Sequence, residues 1–559
     1  MVPYHLFKAI NVLPLTFDRV NDGSSVSSSF PIFSLPVELL GHITPYLFGS
    51  DLASFALVDR DCRQLARSVQ FATVKLDRSN AAMDLLNHLV CETEEKPSLA
   101  IGSCVCRLVI ANDYISDNSA LDWGLQMLVL EEARCRRISM EEAESTYLSA
   151  LYAVIAKALP NLHVLQWDRI ASISQIMECI VISPVKHLRL NRVTADSLSS
   201  LTSTQGWALE TLVINVYGVF ENMGPFFSTI LRQAAPRLRG LAWVGGCLTC
   251  PADGLAFPHL YDLELESFTA DDRALSMFLG PGTEVRSLSI DCTNGSASKF
   301  LRTRGHITTL RSLRWKNAHT EDHDDLLAFL KGNLQLRSFG AVRPLPEPFV
   351  DSCLLPTLGQ FHCLTSVSLT WDVKDIPVQS LSTLSLITSL KQLQLSAGNQ
   401  WGWRYNWHVD HNVILDVLQR LYFLESLAFS RDSYPVSGQL LRDSDLQSYY
   451  TNNVLPQDTP LSNYLDEHEM NFLQLHGNEV EGALIVRDKM MALAWERWHQ
   501  SRMLGFGARY VKYFLNLKWC YLGQLSMNIV GLADGRHPSL ETTQRDFSSA
   551  LLVNKWNEN

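Results

Sequence analysis

The chain has 559 residues, 47% of them hydrophobic and 19% charged, a globular composition long enough for several domains or one extended repeat array. Its net charge of −11 argues against the basic stripe a nucleic-acid binder needs, and no run of about 20 apolar residues is present to cross a membrane. Twelve cysteines are scattered through it, as expected of free thiols in a reducing compartment, so a cytoplasmic or nuclear setting is expected.

Residues 1–32 read as a disordered N-terminal tail. The stretch is broken by Lys8 and Pro14, lacks a clear cleavage site, and ends in the serine-rich linker NDGSSVSSSF. Residues 33–70 change character. Leu35, Leu39, Ile43 and Leu47 recur at helical spacing, and Leu52, Leu57, Val58, Cys62 and Leu65 continue the pattern. Pro36 suits a first helical turn, Ser34 suits a cap before it, and Asp51 suits a cap on a second helix. Pro45 should end or kink the first helix near Thr44. The apolar load exceeds what so short a helical segment can bury internally. If about six of these side chains packed on a partner at roughly 1.5–3 kcal/mol each, the gross gain of about 10–18 kcal/mol would offset an association cost of roughly 4–15 kcal/mol.

Residues 71–432 repeat. Segments such as LPNLHVLQWD, PVKHLRLNR, EVRSLSIDC and ITSLKQLQLSA share the pattern apolar-x-x-apolar-x-apolar. Their central residues are Leu165, Leu188, Leu212, Leu241, Leu263, Leu288, Leu313, Phe339, Val367, Leu393 and Leu427, at intervals of 22 to 29 residues and then 34. Leu76, Leu108 and Cys520 fit the same frame. A period in the twenties is the signature of a leucine-rich-repeat solenoid, in which parallel strands stack because one strand and its return helix cannot bury their own apolar side. The asparagine expected after the last core position is absent, which predicts irregular repeats. The 34-residue interval holds an insertion with Trp401, Trp403 and Trp407. Residues 433–510 form a second interruption, an acidic insertion and helical region: between positions 443 and 486 there are eight acidic residues and no Lys or Arg. Residues 511–559 read as a terminal repeat or cap followed by a tail.

Strand alternation picks out residues aimed away from the core. Asp262, Glu264, Glu266 and Asp291 make an acidic zone there, with Arg314 and Lys316 in the next repeat and Trp519 and Tyr521 on the last strand. Together with Trp401, Trp403 and Trp407, these are the candidate substrate-facing residues. Chemistry-bearing motifs are sparse. CLTC (247–250) has no second cysteine pair at zinc spacing, and HVDH (408–411) offers three ligands too close in sequence to converge. No phosphate-cradling loop, nucleophile elbow or metalloprotease motif appears. The expectation is therefore a protein that is not an enzyme, with no metal and no cofactor.

The motif LPVELLGHITPYL…DLASFALVDRDCRQLA resembles the F-box. Leu35, Pro36, Glu38, Leu39, Ile43, Leu47, Leu52, Leu57, Val58 and Leu65 stand at that family's positions, and Cys62 stands where the family often has a bulky aromatic. F-box followed by repeats resembles the F-box/leucine-rich-repeat proteins, fungal members in particular. The fold this implies is α/β: an N-terminal three-helix F-box, then an irregular leucine-rich-repeat solenoid with a parallel sheet. The function it implies is a non-catalytic substrate receptor of a Skp–cullin–F-box ubiquitin ligase. The eleven front residues, Cys62 included, would dock on the Skp adaptor, and through it on cullin and the RING subunit, while the repeats would hold an unknown protein substrate. The rival reading is a stand-alone leucine-rich-repeat interaction scaffold with no ligase role.

Overall fold

The computed structural model describes residues 15, 20, 28–36, 39–40, 43–47, 49–77, 79–95, 100–111, 140–168, 177–180, 182–193, 207–216, 224–245, 247–248, 255–267, 269–270, 272–291, 296–316, 322–397, 407–434, 455–456, 459–476, 483–532 and 535–540. The protein is α/β with mostly parallel strands, and it divides into two compact units, one within Leu6–Glu284 and one within Val285–Asn559.

In the first unit the helices Gly49–Ala56 and Arg60–Gln70 precede a parallel array of strands. The array comprises Thr73–Leu76, Arg107–Ile110, Val164–Trp167, His187–Val193, Thr211–Val216, Gly240–Val244 and Asp262–Glu266, neighbours in space in their chain order. The helices Asn80–Glu94, Met140–Lys157 and Gly224–Ala234 lie between strands, as return segments do. The predicted central residues stack in register, Leu108 on Leu165, Leu165 on Leu188, Leu188 on Leu212, Leu212 on Leu241 and Leu241 on Leu263. All of them are buried. The first strand departs from the expected frame: Val74, not Leu76, pairs with Leu108, and Leu76 sits one inward position later, opposite Ile110. Both residues point inward, so a shift of two leaves the buried face unchanged.

The second unit continues the same construction. Its parallel strands are Ser287–Ile290, Ser312–Trp315, Ser338–Ala341, Ser366–Thr370, Gln392–Ser396, Ser426–Ser430 and Trp519–Leu522. Leu288, Leu313, Phe339, Val367, Leu393, Leu427 and Cys520 pair rung on rung. Ahead of Ser338–Ala341 a buried asparagine satisfies the turn. Asn333 accepts from Ile307 N at 2.9 Å and donates to Gly305 O and Phe329 O at 2.8 Å each.

The parallel run ends in an antiparallel hairpin. Leu525–Leu532 pairs antiparallel with Trp519–Leu522, and Gly535–Leu540 pairs with Leu525–Leu532. Gly523 (φ 56°) and Gln524 (φ 65°) form its two-residue turn, the left-handed conformation that tight hairpins require. Pro538 lies on the outermost strand, where a missing N–H leaves no ladder bond unmade. The helix Ala483–Tyr513, 31 residues long, runs through the boundary expected at 510. Among the described residues, no helix is long and apolar enough to cross a membrane.

Candidate binding surfaces

The front module has a small interior of its own. Leu40 and Leu65 are buried together, with Ile32, Phe33 and Phe55 partly buried against them. The first helical segment changes to a 3-10 turn, Thr44–Tyr46, whose first turn holds Pro45. Asp51 lies within the first turn of Gly49–Ala56 instead of capping it, and the Ser34 hydroxyl donates back to Pro31 O at 2.6 Å. The well-formed cap belongs to Asp59, whose carboxylate accepts from Cys62 N at 2.7 Å and starts Arg60–Gln70. Partial desolvation of Asp59 is outweighed by the bonds from Cys62 N–H and the Ser28 hydroxyl, so its carboxyl sits below the usual range. Ser28 N–H also donates to Asp61 at 2.8 Å, which ties the end of the serine linker to this helix.

These contacts mount the helix on the strands behind it. Gln64 Nε2 donates to Val20 O and Ala100 O, both at 3.1 Å. Glu92 accepts from Ile101 N (2.7 Å) and Gly102 N (2.8 Å), ordering the turn that Gln64 grips. Leu15 and Val20, placed by sequence in a disordered tail, are buried with Cys104 and Cys106, and Phe71 packs against them. For those two residues the tail reading does not hold: their apolar side chains close a gap beside the first strands.

The eleven front residues differ in exposure. Leu35 (38%), Leu39 (47%), Ile43 (39%), Leu57 (79%) and Val58 (52%) are exposed, as is their neighbour Tyr46 (85%), and Pro36 is exposed with them. Leu47 and Leu52 are half-buried. Cys62 and Leu65 are buried and face the protein's own interior, so no adaptor reaches them in this structure. Burial, followed by the hydrogen bond to Asp59, pushes the Cys62 thiol up to about 12. Glu38 lies outside the described residues.

The outward strand face is largely closed. In the first unit Glu264 is buried, while Asp262 and Glu266 are half-buried. Asp168, also on this face, is held by Gln166, Asn191 and, at 3.9 Å, Arg189. In the second unit Asp291 and Lys316 are buried and Arg314 is half-buried. Asp291 pairs at 3.5 Å with Arg343, a residue the sequence reading did not single out. Trp519 and Tyr521 are buried against Ala428, and Trp519 Nε1 donates to Ser526 Oγ at 2.8 Å. Trp407 is buried edge-on to Phe429, ring centres 5.4 Å apart. These three aromatics are packing residues, not open anchors. Trp401 and Trp403 lie outside the described residues.

The second unit also holds a buried polar cluster that sequence reasoning missed. Asp432 accepts from Tyr434 OH at 2.5 Å and from Gly523 N at 2.6 Å. His499 Nε2 donates to Gly523 O at 2.7 Å, and His411 Nδ1 is bonded to Tyr510 OH at 2.8 Å. Phe506 stacks on His411 with ring centres 3.8 Å apart, and Arg502 lies over Tyr434, Trp498 and Phe506. Burial drives His411 down to about 3 and His499 to about 4, and lifts Asp432 to about 6. The bond from His499 to Gly523 fastens the long helix to the hairpin turn.

No protein-family model matches the chain, and no curated protein matches it. Among the described residues no group of three or more His, Cys, Asp and Glu is placed to hold a metal ion.

Proposed function

We propose that this chain is a non-catalytic substrate receptor of a Skp–cullin–F-box ubiquitin ligase. Its front helices are an F-box that docks on the Skp adaptor, and its strand-and-helix repeats are an irregular leucine-rich-repeat solenoid that carries the target protein. Ubiquitin transfer belongs to the associated RING subunit and its conjugating enzyme.

The supporting observation is the division of the front helices into two faces. Leu65 packs inside the module on Leu40, and Gln64 ties the helix to Val20 and Ala100, while Leu39, Ile43, Leu57 and Val58 remain exposed. Solvated apolar side chains on a rigid mount lose little entropy on docking. Burying these four, at roughly 1.5–3 kcal/mol each, gives about 6–12 kcal/mol before Leu35 and Tyr46 contribute. That gain is of the size of the cost of association, so a helix-packing partner could use this face.

The test is co-purification of the full chain with the Skp adaptor, comparing wild type with Leu39→Asp/Ile43→Asp. Both residues are exposed, so the variant should fold normally and fail only in capture. Failure of the wild type to capture the adaptor would leave the stand-alone scaffold as the better reading.

A further inference from the structure

From Ile307 onward, each repeat of the second unit enters its strand through a turn with a buried residue at each end and two residues open to water between them. In step with the strand register, the open pairs are Thr308–Thr309, Leu334–Gln335, His362–Cys363, Thr388–Ser389, Tyr422–Phe423 and Leu515–Asn516. The second member is a polar tie in four of them. Thr309 donates to Val285 O (2.8 Å), Gln335 to Ile307 O (2.8 Å), Ser389 to Leu364 O (2.6 Å) and Asn516 to Tyr422 O (2.8 Å), each fastening its turn to the repeat before.

Tyr422–Phe423 departs from this pattern. Phe423 has no group to make the tie, and both rings are exposed. On the next rung Tyr513 (49%) and Leu515 (75%) are exposed, and Leu386 is exposed on the rung before. Scattered apolar side chains at a surface are ordinary, but these adjoin one another, and one replaces a structural hydrogen bond. The turns beneath them are held: Arg536 donates to Leu515 O and Leu517 O, and Glu425 is clasped by Lys391 (3.1 Å) and Lys518.

Arg420 and Lys512 flank the patch. Both are exposed, and among the described residues neither has a bonded partner. The local charge is positive in a chain of net charge −11: Lys391, Arg420, Lys512, Lys518 and Arg536 stand against Asp416 and Glu425. Glu425 N donates to Lys391 O and Lys518 N to Glu425 O, both at 2.7 Å, so successive rungs are about 4.8 Å apart there. An α-helix crossing them offers an apolar side chain once per turn, about every 5.4 Å, and so sets one on each rung.

We propose that the turns carrying Tyr422, Phe423, Tyr513 and Leu515 dock an acidic amphipathic helix of a partner protein, whose apolar face covers the rings and whose carboxylates meet Arg420 and Lys512. Exposed aromatics on a rigid mount are the kind of anchor that dominates such contacts. An anionic bilayer also suits apolar and basic side chains, but basic membrane sites gather about four to eight cations, and here only Arg420 and Lys512 are unengaged. The inference does not depend on whether the front helices dock on an adaptor.

The test uses the full chain and a labelled helical peptide with leucine along one face and glutamate elsewhere, read by fluorescence anisotropy. Run beside it are the same peptide with lysine for glutamate, the same peptide with serine for leucine, and phosphatidylserine/phosphatidylcholine vesicles read by co-sedimentation. Wild type should bind the first peptide and neither control. Tyr422→Thr/Phe423→Ser copies the Thr388–Ser389 turn, so it should keep the melting midpoint and lose binding about tenfold or more. Leu515→Asn replaces it if that midpoint falls. Arg420→Glu and Lys512→Glu should each weaken binding about fivefold at low salt, while Lys331→Glu, three repeats from Arg420, should stay within about twofold. The proposal is overturned if wild type does not bind the glutamate peptide, if the turn variants bind as well as wild type, or if the lysine peptide binds equally. It is also overturned if only vesicles bind, or if sedimentation shows wild type pairing with itself and the turn variant monomeric.

Discussion

Acidification from pH 7 to pH 5 should destabilise the second unit, because two of its histidines are buried neutral. His411 and His499 titrate at about 3 and about 4 in the fold, each driven down first by burial. In the unfolded chain both titrate near 6.5. A depressed folded-state pKa means that stability is full above pH 6.5 and is lost as pH falls below it, since only the unfolded chain takes up the protons. By pH 5 each histidine contributes a loss of about 2 kcal/mol. Asp432 acts in the opposite sense. Its folded pKa, raised to about 6 by burial, makes its ionised form costly at neutral pH, and protonation by pH 5 returns about 1 kcal/mol. The net expected loss is about 2–3 kcal/mol. Urea midpoints of the full chain at pH 7 and pH 5, followed by tryptophan fluorescence, measure it, and the His411→Gln/His499→Gln pair should remove most of the acid sensitivity. A midpoint that rises on acidification, or an unchanged slope in the double variant, would refute the argument.

Other substitutions test the packing. Gly523→Ala should destabilise by at least about 1–3 kcal/mol in thermal melts. Its φ is 56°, and a Cβ there would lie 2.5 Å from Met503 Sδ and 2.8 Å from His499 Cε1. Leu65→Ala should cost about 2–5 kcal/mol, while Leu57→Ala, on the same module but 79% exposed, should fall within about 0.5 kcal/mol of wild type. Equal costs would contradict the division of the front helices into two faces. Asp59→Ala removes the cap on Arg60–Gln70 and should lower stability by about 0.5–2 kcal/mol by urea unfolding.

The repeats were legible because their signal is local and redundant. An inward residue recurs at one position in every repeat, and Leu165 to Leu263 in the first unit and Leu288 to Leu427 in the second fall on strands in mutual register within each unit. The shift at Leu76 escaped notice because period-two alternation does not say which inward residue comes first. Side-chain exposure was harder to read. Trp519 and Tyr521 do share a sheet face with Ala428, but alternation assigns a face and cannot reveal that the face is covered. Cys62 and Leu65 follow the helical period of the exposed residues, yet both are buried, Leu65 against Leu40 within the module itself. The Asp432 cluster joins residues up to 99 positions apart, so no short motif announces it.

The central claim rests on the exposed front face, and its most direct test is the affinity of the full chain for the Skp adaptor, measured by titration calorimetry. The account predicts saturable binding by the wild type. It predicts no measurable binding by Leu39→Asp/Ile43→Asp at an unchanged melting midpoint. Absence of binding by the wild type, or equal binding by the variant, would contradict it.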